Sequence, residues 1–224
     1  MTFEFDHVVI GAADLQQGAA WSEETFGAPL GPGGRHPSMG THNLLARTPM
    51  GYVEIIARDP WGRAPKHPRW FALDEPAQRA RLEERPRPIA WVLATADLDA
   101  AMAGAPWPMG PAYEVSRDDL TWRIAAPAGA AALEGVLPCF IEWPERLDHR
   151  APRGRMAPLG PPHAPMALGG LRLRHPEPER IERLLAALGA ERIALAAGFA
   201  LSVSRGAEPS LEAAFRPARL SRSV

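Results

Sequence analysis

Two side chains in this sequence are able to hold a metal or move a proton from inside apolar runs. His7 lies in Phe5-Asp6-His7-Val8-Val9-Ile10-Gly11, and Glu54 in Gly51-Tyr52-Val53-Glu54-Ile55-Ile56-Ala57. A carboxylate buried among such neighbours is costly unless it is paired or metal-bound. Glu54 therefore reads either as a functional group or as the partner of an arginine. His7 reads either as a cleft histidine or as a core histidine bonded to backbone. Between the two lies Gly33-Gly34-Arg35-His36, where glycine permits positive φ and a sharp turn that presents His36. His36 could equally be a solvated loop residue. His42 and Asn43 follow, and strand neighbours point to opposite faces, so only one of them can enter a shared cleft.

Composition narrows the function. The chain has 224 residues, 46% of them hydrophobic, and a formal net charge of -1. That balance gives no electrostatic footprint for nucleic acid. No stretch is long and apolar enough to span a bilayer, and the N-terminus lacks a signal-peptide pattern. A single cysteine, Cys139, excludes an internal disulfide and suits a reducing cytoplasm. Cys139 itself reads as an inert buried thiol. Lys66 is the only lysine against many arginines, and proline and alanine abound, which suggests a bacterial source. There is no Gly-x-Ser-x-Gly elbow, phosphate loop or Cys-x-x-Cys pair.

The elements that must position these residues repeat. Phe5 to Ile10 reads as a strand with Phe5, His7 and Val9 on one face and Asp6, Val8 and Ile10 on the other. Asp14 caps a helix, with Gln17 completing a loose capping box and Gly27 ending it. Pro29 to Gly40 reads as a loop with at most a short edge strand. Strands over Thr41 to Arg47 and Tyr52 to Ala57 close the unit. The connector holds Trp61, His67 and Trp70, which read as packing anchors or a lid, and a short helix over Glu75 to Glu84. Ile89 to Leu98 then restarts the pattern, with Asp97 as cap. Strands follow over Pro111–Ser116, Leu120–Ala125 and Val136–Trp143. His7 and Trp91 are 84 residues apart, Glu54 and Glu142 88, so the two units align on two anchors. A third unit comprises a strand over Leu168–Arg174, a helix over Pro176–Leu188 ended by Gly189, and short strands over 193–196, 199–204 and 211–215. His149, His163 and His175 lie in Pro-rich surroundings and read as exposed.

The expected division is 1–60 and 88–145 as βαβββ modules, 61–87 as connector, 146–165 as a Pro- and Arg-rich linker, and 166–224 as a shortened third module with tail. One such module cannot bury its sheet face alone. The expected fold is α+β: tandem βαβββ modules forming a curved mixed sheet, helices outside and a cleft inside.

The ordered motifs Phe5-Asp6-His7-Val8-Val9, Gly33-Gly34-Arg35-His36, Gly40-Thr41-His42-Asn43 and Tyr52-Val53-Glu54 resemble the glyoxalase-like domain proteins of the vicinal oxygen chelate superfamily. The resemblance is good over residues 1–145 and weaker beyond. It implies a cleft whose divalent metal is held from the first and last strands of both modules. Carried over, those positions are His7, Glu54, Trp91 and Glu142. Trp91 departs from the pattern, because indole has no lone pair for a metal. His7, Glu54 and Glu142 would remain as a two-carboxylate, one-histidine set suited to Mn, Fe, Zn or Ni. The family motif also puts Asn43 in the site, with Thr41 on its face.

Two functions follow from the resemblance. One is a lyase, isomerase or dioxygenase acting on a small oxygenated metabolite, with Glu142 and Glu54 as catalytic carboxylates. The other is a metal-free, antibiotic-type sequestering protein, with His7, His36, Asn43 and Glu54 as polar anchors and Trp91 as a stacking wall. Relatives that pair modules between chains make a homodimer compatible with either.

Overall fold

Alternating apolar residues make Glu4–Gly11 a strand, β1. The chain is seen here as a computed structural model that describes residues 3–48, 51–118, 120–129, 135–144, 166–189 and 199–217. After β1, the Asp14 side chain accepts from the Gln17 amide at 2.7 Å, and Gln17 Oε1 accepts from the Ala13 amide at 2.9 Å. This reciprocal cap starts helix α1 (Leu15–Phe26), and Gly27 ends it at φ 73°. The helix lies close on the sheet: a Cβ at Gly18 would stand 2.4 Å from Ile55.

The segment expected as a loop with at most a short edge strand does form one, β2 (Gly31–His36). Its register shifts between Pro32 and Arg35, so Gly33-Gly34 is absorbed as an irregularity inside the pairing and not as a break. Strands β3 (Thr41–Thr48) and β4 (Gly51–Arg58) follow, and β4 returns to pair in parallel with β1. The connector supplies a short 3-10 turn at Trp70–Ala72 and helix α2 (Pro76–Glu84).

The second unit repeats the scheme with β5 (Arg87–Ala94), α3 (Leu98–Ala103), β6 (Tyr113–Arg117), β7 (Leu120–Ala125) and β8 (Cys139–Glu142). The two units join through antiparallel β1 and β5 into one eight-stranded sheet, ordered β2-β3-β4-β1-β5-β8-β7-β6. Its edges curl toward each other until Gly34 of β2 meets Arg117 of β6. This is the α+β cleft architecture that the repeat implied.

The pleat sorts the side chains. Val8, Ile10, Val53, Ile55, Trp91, Leu93 and Phe140 pack outward with Phe26 of α1 and Leu98 and Ala101 of α3. Val9, Ile56, Val92 and Ile141 pack inward. The shortened third unit is β9 (Met166–His175), α4 (Pro178–Leu188), β10 (Ala200–Arg205) and β11 (Ser210–Pro217), ordered β10-β9-β11. Its Leu168, Leu171, Leu173 and Leu211 join the outward core, and Phe199 and Phe215 pack on Phe5 and Phe26. His175, expected to be exposed, is buried and accepts the Glu177 amide at 2.9 Å at the start of α4. Residues 146–165, with His149 and His163, and the expected strand at 193–196 lie outside the described residues. No helix among those described is long and apolar enough to cross a membrane.

Candidate functional site

Strict alternation on β1 would set Asp6 and His7 on opposite faces. The pairing passes from Phe5–Leu93 to His7–Val92, so Asp6 is an extra residue with no partner on β5. Such a bulge re-aims side chains. Phe5 turns outward with Val8 and Ile10, against the sequence expectation, and Asp6 reaches His7. Asp6 Oδ1 lies 2.5 Å from His7 Nδ1, and Asp6 Oδ2 accepts from Trp143 Nε1 at 2.9 Å. Asp6 and His7 are both buried.

With Nδ1 held, the other nitrogen of His7 faces β4. Its Nε2 lies 3.5 Å from Glu54 Oε2. Two residues before Glu54, on the same face, Tyr52 stacks on the His7 ring at 4.3 Å between centroids. Glu54 Oε1 accepts from Asn43 Nδ2 at 2.6 Å. The Asn43 oxygen is taken by the Gly34 amide at 2.8 Å, so its nitrogen is the end that faces Glu54 and, at 3.4 Å, His36 Nε2. The amide N–H then donates to a bare Nε2, which leaves the His36 proton on Nδ1, donating to Thr41 Oγ1 at 3.0 Å. Neighbours His42 and Asn43 diverge as a strand requires, and Asn43 takes the cleft.

These partners set the charges. Burial alone would pull His7 down, but its bonds to Asp6 and Glu54 and their negative charge hold it up, at about 9. Burial would raise Glu54, but the bond to His7, the charges of His7 and His36, and Asn43 bring it below the ordinary carboxylate value. Burial pushes His36 down to about 4. At neutral pH the cleft thus holds a cationic His7 beside an anionic Glu54, with a neutral His36 next door.

Aromatic side chains close the space. His36 meets Trp70 and Trp122 edge-on at 5.1 and 5.7 Å, and Trp143 packs on Trp122 at 5.2 Å. Phe71, held at φ 54°, brings a further ring to the rim, and Arg117 enters from β6. The empty space between these side chains, counted out to open solvent, is about 380 Å³.

Some residues expected here are elsewhere. Trp91 is buried in the outward core, with Nε1 donating to the Val136 carbonyl at 3.0 Å, so it is no stacking wall. Glu142 also faces outward. Its Oε2 accepts the Leu98 amide at 2.6 Å at the start of α3, and its Oε1 faces Arg123 at 3.7 Å. Both corrections have one cause: the second repeat is in register one residue away, and a slip of one reverses every side chain. The inward residues of β5 and β8 are aliphatic, Val92 and Ile141. Thr41 supports His36 and does not itself line the cleft. Trp61 is 82% exposed and His67 stacks on Tyr113, so of the three connector side chains singled out only Trp70 lines the cleft, beside its neighbour Phe71. Cys139 is buried and its thiol is pushed up to about 12.

The donor set does not fit a divalent metal. Of the three expected ligands, only His7 and Glu54 meet. Among the described residues no group of three or more His, Cys, Asp or Glu is placed to hold an ion. Sequence reasoning missed Asp6, because alternation argued against it, and Arg117, Trp122 and Trp143, which carry no local signal. Tyr52 was missed as well, although its spacing of two from Glu54 was a signal that could have found it.

A family model described as a glyoxalase-like domain matches residues 5–189. Among solved structures, a hypothetical protein from Staphylococcus aureus superposes with a TM-score of 0.67 at 14% identity, covering 99% of this chain and 93% of that one. At that identity the likeness speaks for the fold alone. Methylmalonyl-CoA epimerase from Mycobacterium tuberculosis matches at 18% identity over 63% of this chain and 88% of that one, with a TM-score of 0.45. The Streptomyces coelicolor epimerase in complex with 2-nitronate-propionyl-CoA gives 16%, 64%, 99% and 0.44. Overlaps that loose carry no argument about this cleft. No curated protein matches the chain by sequence.

Proposed function

The chain belongs to the glyoxalase-like domain family of the vicinal oxygen chelate superfamily, and on that premise we propose that its cleft moves a proton on a small oxygenated metabolite, in lyase or isomerase chemistry, with His7 and Glu54 as acid and base. The observation that carries this reading is the pair itself: two buried groups 3.5 Å apart, each held in its charged form. Glu54, as carboxylate, takes a proton from the carbon beside a substrate carbonyl. His7 Nε2–H gives a proton to the carbonyl oxygen, so an enol forms in place of a free enolate. Return of a proton to carbon gives an isomer; alternatively a leaving group on the next carbon departs with the proton held by Glu54 while the enol O–H returns its proton to His7, which gives the α,β-unsaturated carbonyl compound. Asp6 fixes the His7 ring, and Asn43 fixes Glu54. Positioned acid–base groups of this kind contribute roughly 10²–10⁴-fold in rate.

The aromatic wall of Trp70, Trp122 and Trp143 favours a second reading, a metal-free sequestering protein for a planar ligand. One experiment separates the two. The protein is held in D₂O with chelator and a panel of small ketones, aldehydes and hydroxy acids, and carbon-bound deuterium is read by NMR. Exchange into one compound, lost in Glu54→Gln, is the expected result. A panel member that raises the melting temperature and exchanges nothing would favour sequestration and contradict the enzyme.

A further inference from the structure

We propose that the cleft takes a small monocarboxylate seated on the Arg117 guanidinium, so that the compound on which His7 and Glu54 act is a carboxylic acid; this rests on the acid–base reading above. Arg117 is 4% exposed and lines the cleft beside His36 and Glu54. Among the described residues it makes no hydrogen bond or ion pair, and its buried Nε has no acceptor. An arginine stays charged at any working pH, and a buried charge without a partner is strongly unfavourable. The acceptors nearby are spoken for, since Asn43 and His7 take the two oxygens of Glu54.

A second orphan lies in the same cleft. Trp70 Nε1 is buried with no acceptor. Two unsatisfied buried donors on residues that line one small space call for a ligand rich in acceptors, and the planar guanidinium fork matches a carboxylate. The position is built into the scaffold: a Cβ at Gly34 would lie 2.5 Å from Arg117 Cδ and 2.6 Å from its Cγ, so the glycine makes room for the arginine stem. Glu54 in the cleft, and Asp6 behind His7, disfavour a doubly charged phosphate more than a monocarboxylate, and the narrow cleft excludes bulky acids.

The test is thermal melting of the full chain at fixed ionic strength with formate, acetate, glyoxylate, pyruvate and lactate, each beside its amide, and with inorganic phosphate. At least one carboxylate should stabilise the protein at about tenfold lower concentration than its amide, and phosphate should do no better than chloride. Arg117→Met should abolish the preference and leave the unliganded melting temperature undiminished, because an unpaired charge has been removed. Should that variant not fold, Arg117→Lys keeps the charge without the fork and should weaken the preference about tenfold. No carboxylate outperforming its amide, a preference that survives in both variants, or phosphate binding best would each overturn the proposal. Deuterium exchange into the amides as well as the acids would keep the acid–base reading and sink this one. Carboxylate binding without exchange would do the reverse.

Discussion

His7 and Glu54 stand 3.5 Å apart, nitrogen to oxygen, on the neighbouring parallel strands β1 and β4. In a buried setting the two either share a proton or hold opposite charges. Asp6 behind His7 and Asn43 behind Glu54 favour the charged arrangement. The cleft's behaviour with pH and substitution follows from that.

The two cleft histidines oppose each other in pH dependence. His7 has its folded value raised from 6.5 to about 9, so its stabilisation is complete below 6.5 and is lost as pH climbs through 9. His36 is lowered from 6.5 to about 4, so the unfolded chain gains protons first and stability falls as pH drops from 6.5 toward 4. Each limb is on the order of 3 kcal/mol at ~1.4 kcal/mol per unit. Melting temperature should therefore peak near pH 6.5, with His7→Gln flattening the alkaline limb and His36→Gln the acid one. A wild-type curve level from 6.5 to 9 would contradict the charged state of His7.

Metal should not matter to this cleft. Protein purified without chelator should contain no stoichiometric first-row metal, and added Mn, Ni, Zn or Fe should leave its melting temperature unchanged. A ligand at a hundred times its dissociation constant would stabilise by about 2.7 kcal/mol, a shift melting experiments resolve. A bound metal that disappears in both His7→Ala and Glu54→Ala would refute the reading.

Trp91 and Glu142 should act on stability alone. Trp91→Phe strands the Val136 carbonyl and should cost about 1–3 kcal/mol. Glu142→Ala removes the acceptor at the start of α3 and should cost about 1 kcal/mol. Neither should move the titration of His7. A shift in that titration with either variant would place the residue in the cleft after all.

The fold was largely legible because it rests on periodicity. The spacing of two in Tyr52-Val53-Glu54-Ile55 and the caps at Asp14 and Asp97 determine their elements locally. Part of the candidate cleft was legible too: His7 and Glu54 from their places in apolar strands, His36 from the Gly33-Gly34 turn and Asn43 from the family motif, and the four line one cleft. The rest was not. Trp91 and Glu142 were aligned by sequence offset, which cannot resolve a shift of one residue, and one residue is the difference between cleft and core. Asp6 was hidden by a bulge, which depends on the β5 partner and leaves no trace in the local sequence. Arg117 reaches the cleft only because the sheet curls until β2 meets β6.

Gly51 should prove intolerant. It sits at φ 111°, and a Cβ there would lie 1.9 Å from the Asp6 carbonyl oxygen. Gly51→Ala must displace β1 at the bulge, costing on the order of 3 kcal/mol and disturbing the Asp6–His7 bond. Gly27→Ala, also at positive φ but in open space, should cost about 1 kcal/mol and leave the cleft intact. Denaturant melts of the two variants, read beside the His7 titration, check the contrast.

The most direct test of the account is the protonation state of His7, read from ¹⁵N-labelled histidine by NMR between pH 5 and 10. Both ring nitrogens should be protonated at neutral pH and titrate near 9, falling toward the ordinary value in Asp6→Asn and Glu54→Gln. A His7 that is neutral at pH 7.5, or whose titration ignores both substitutions, would contradict the ion pair and with it the assignment of acid and base.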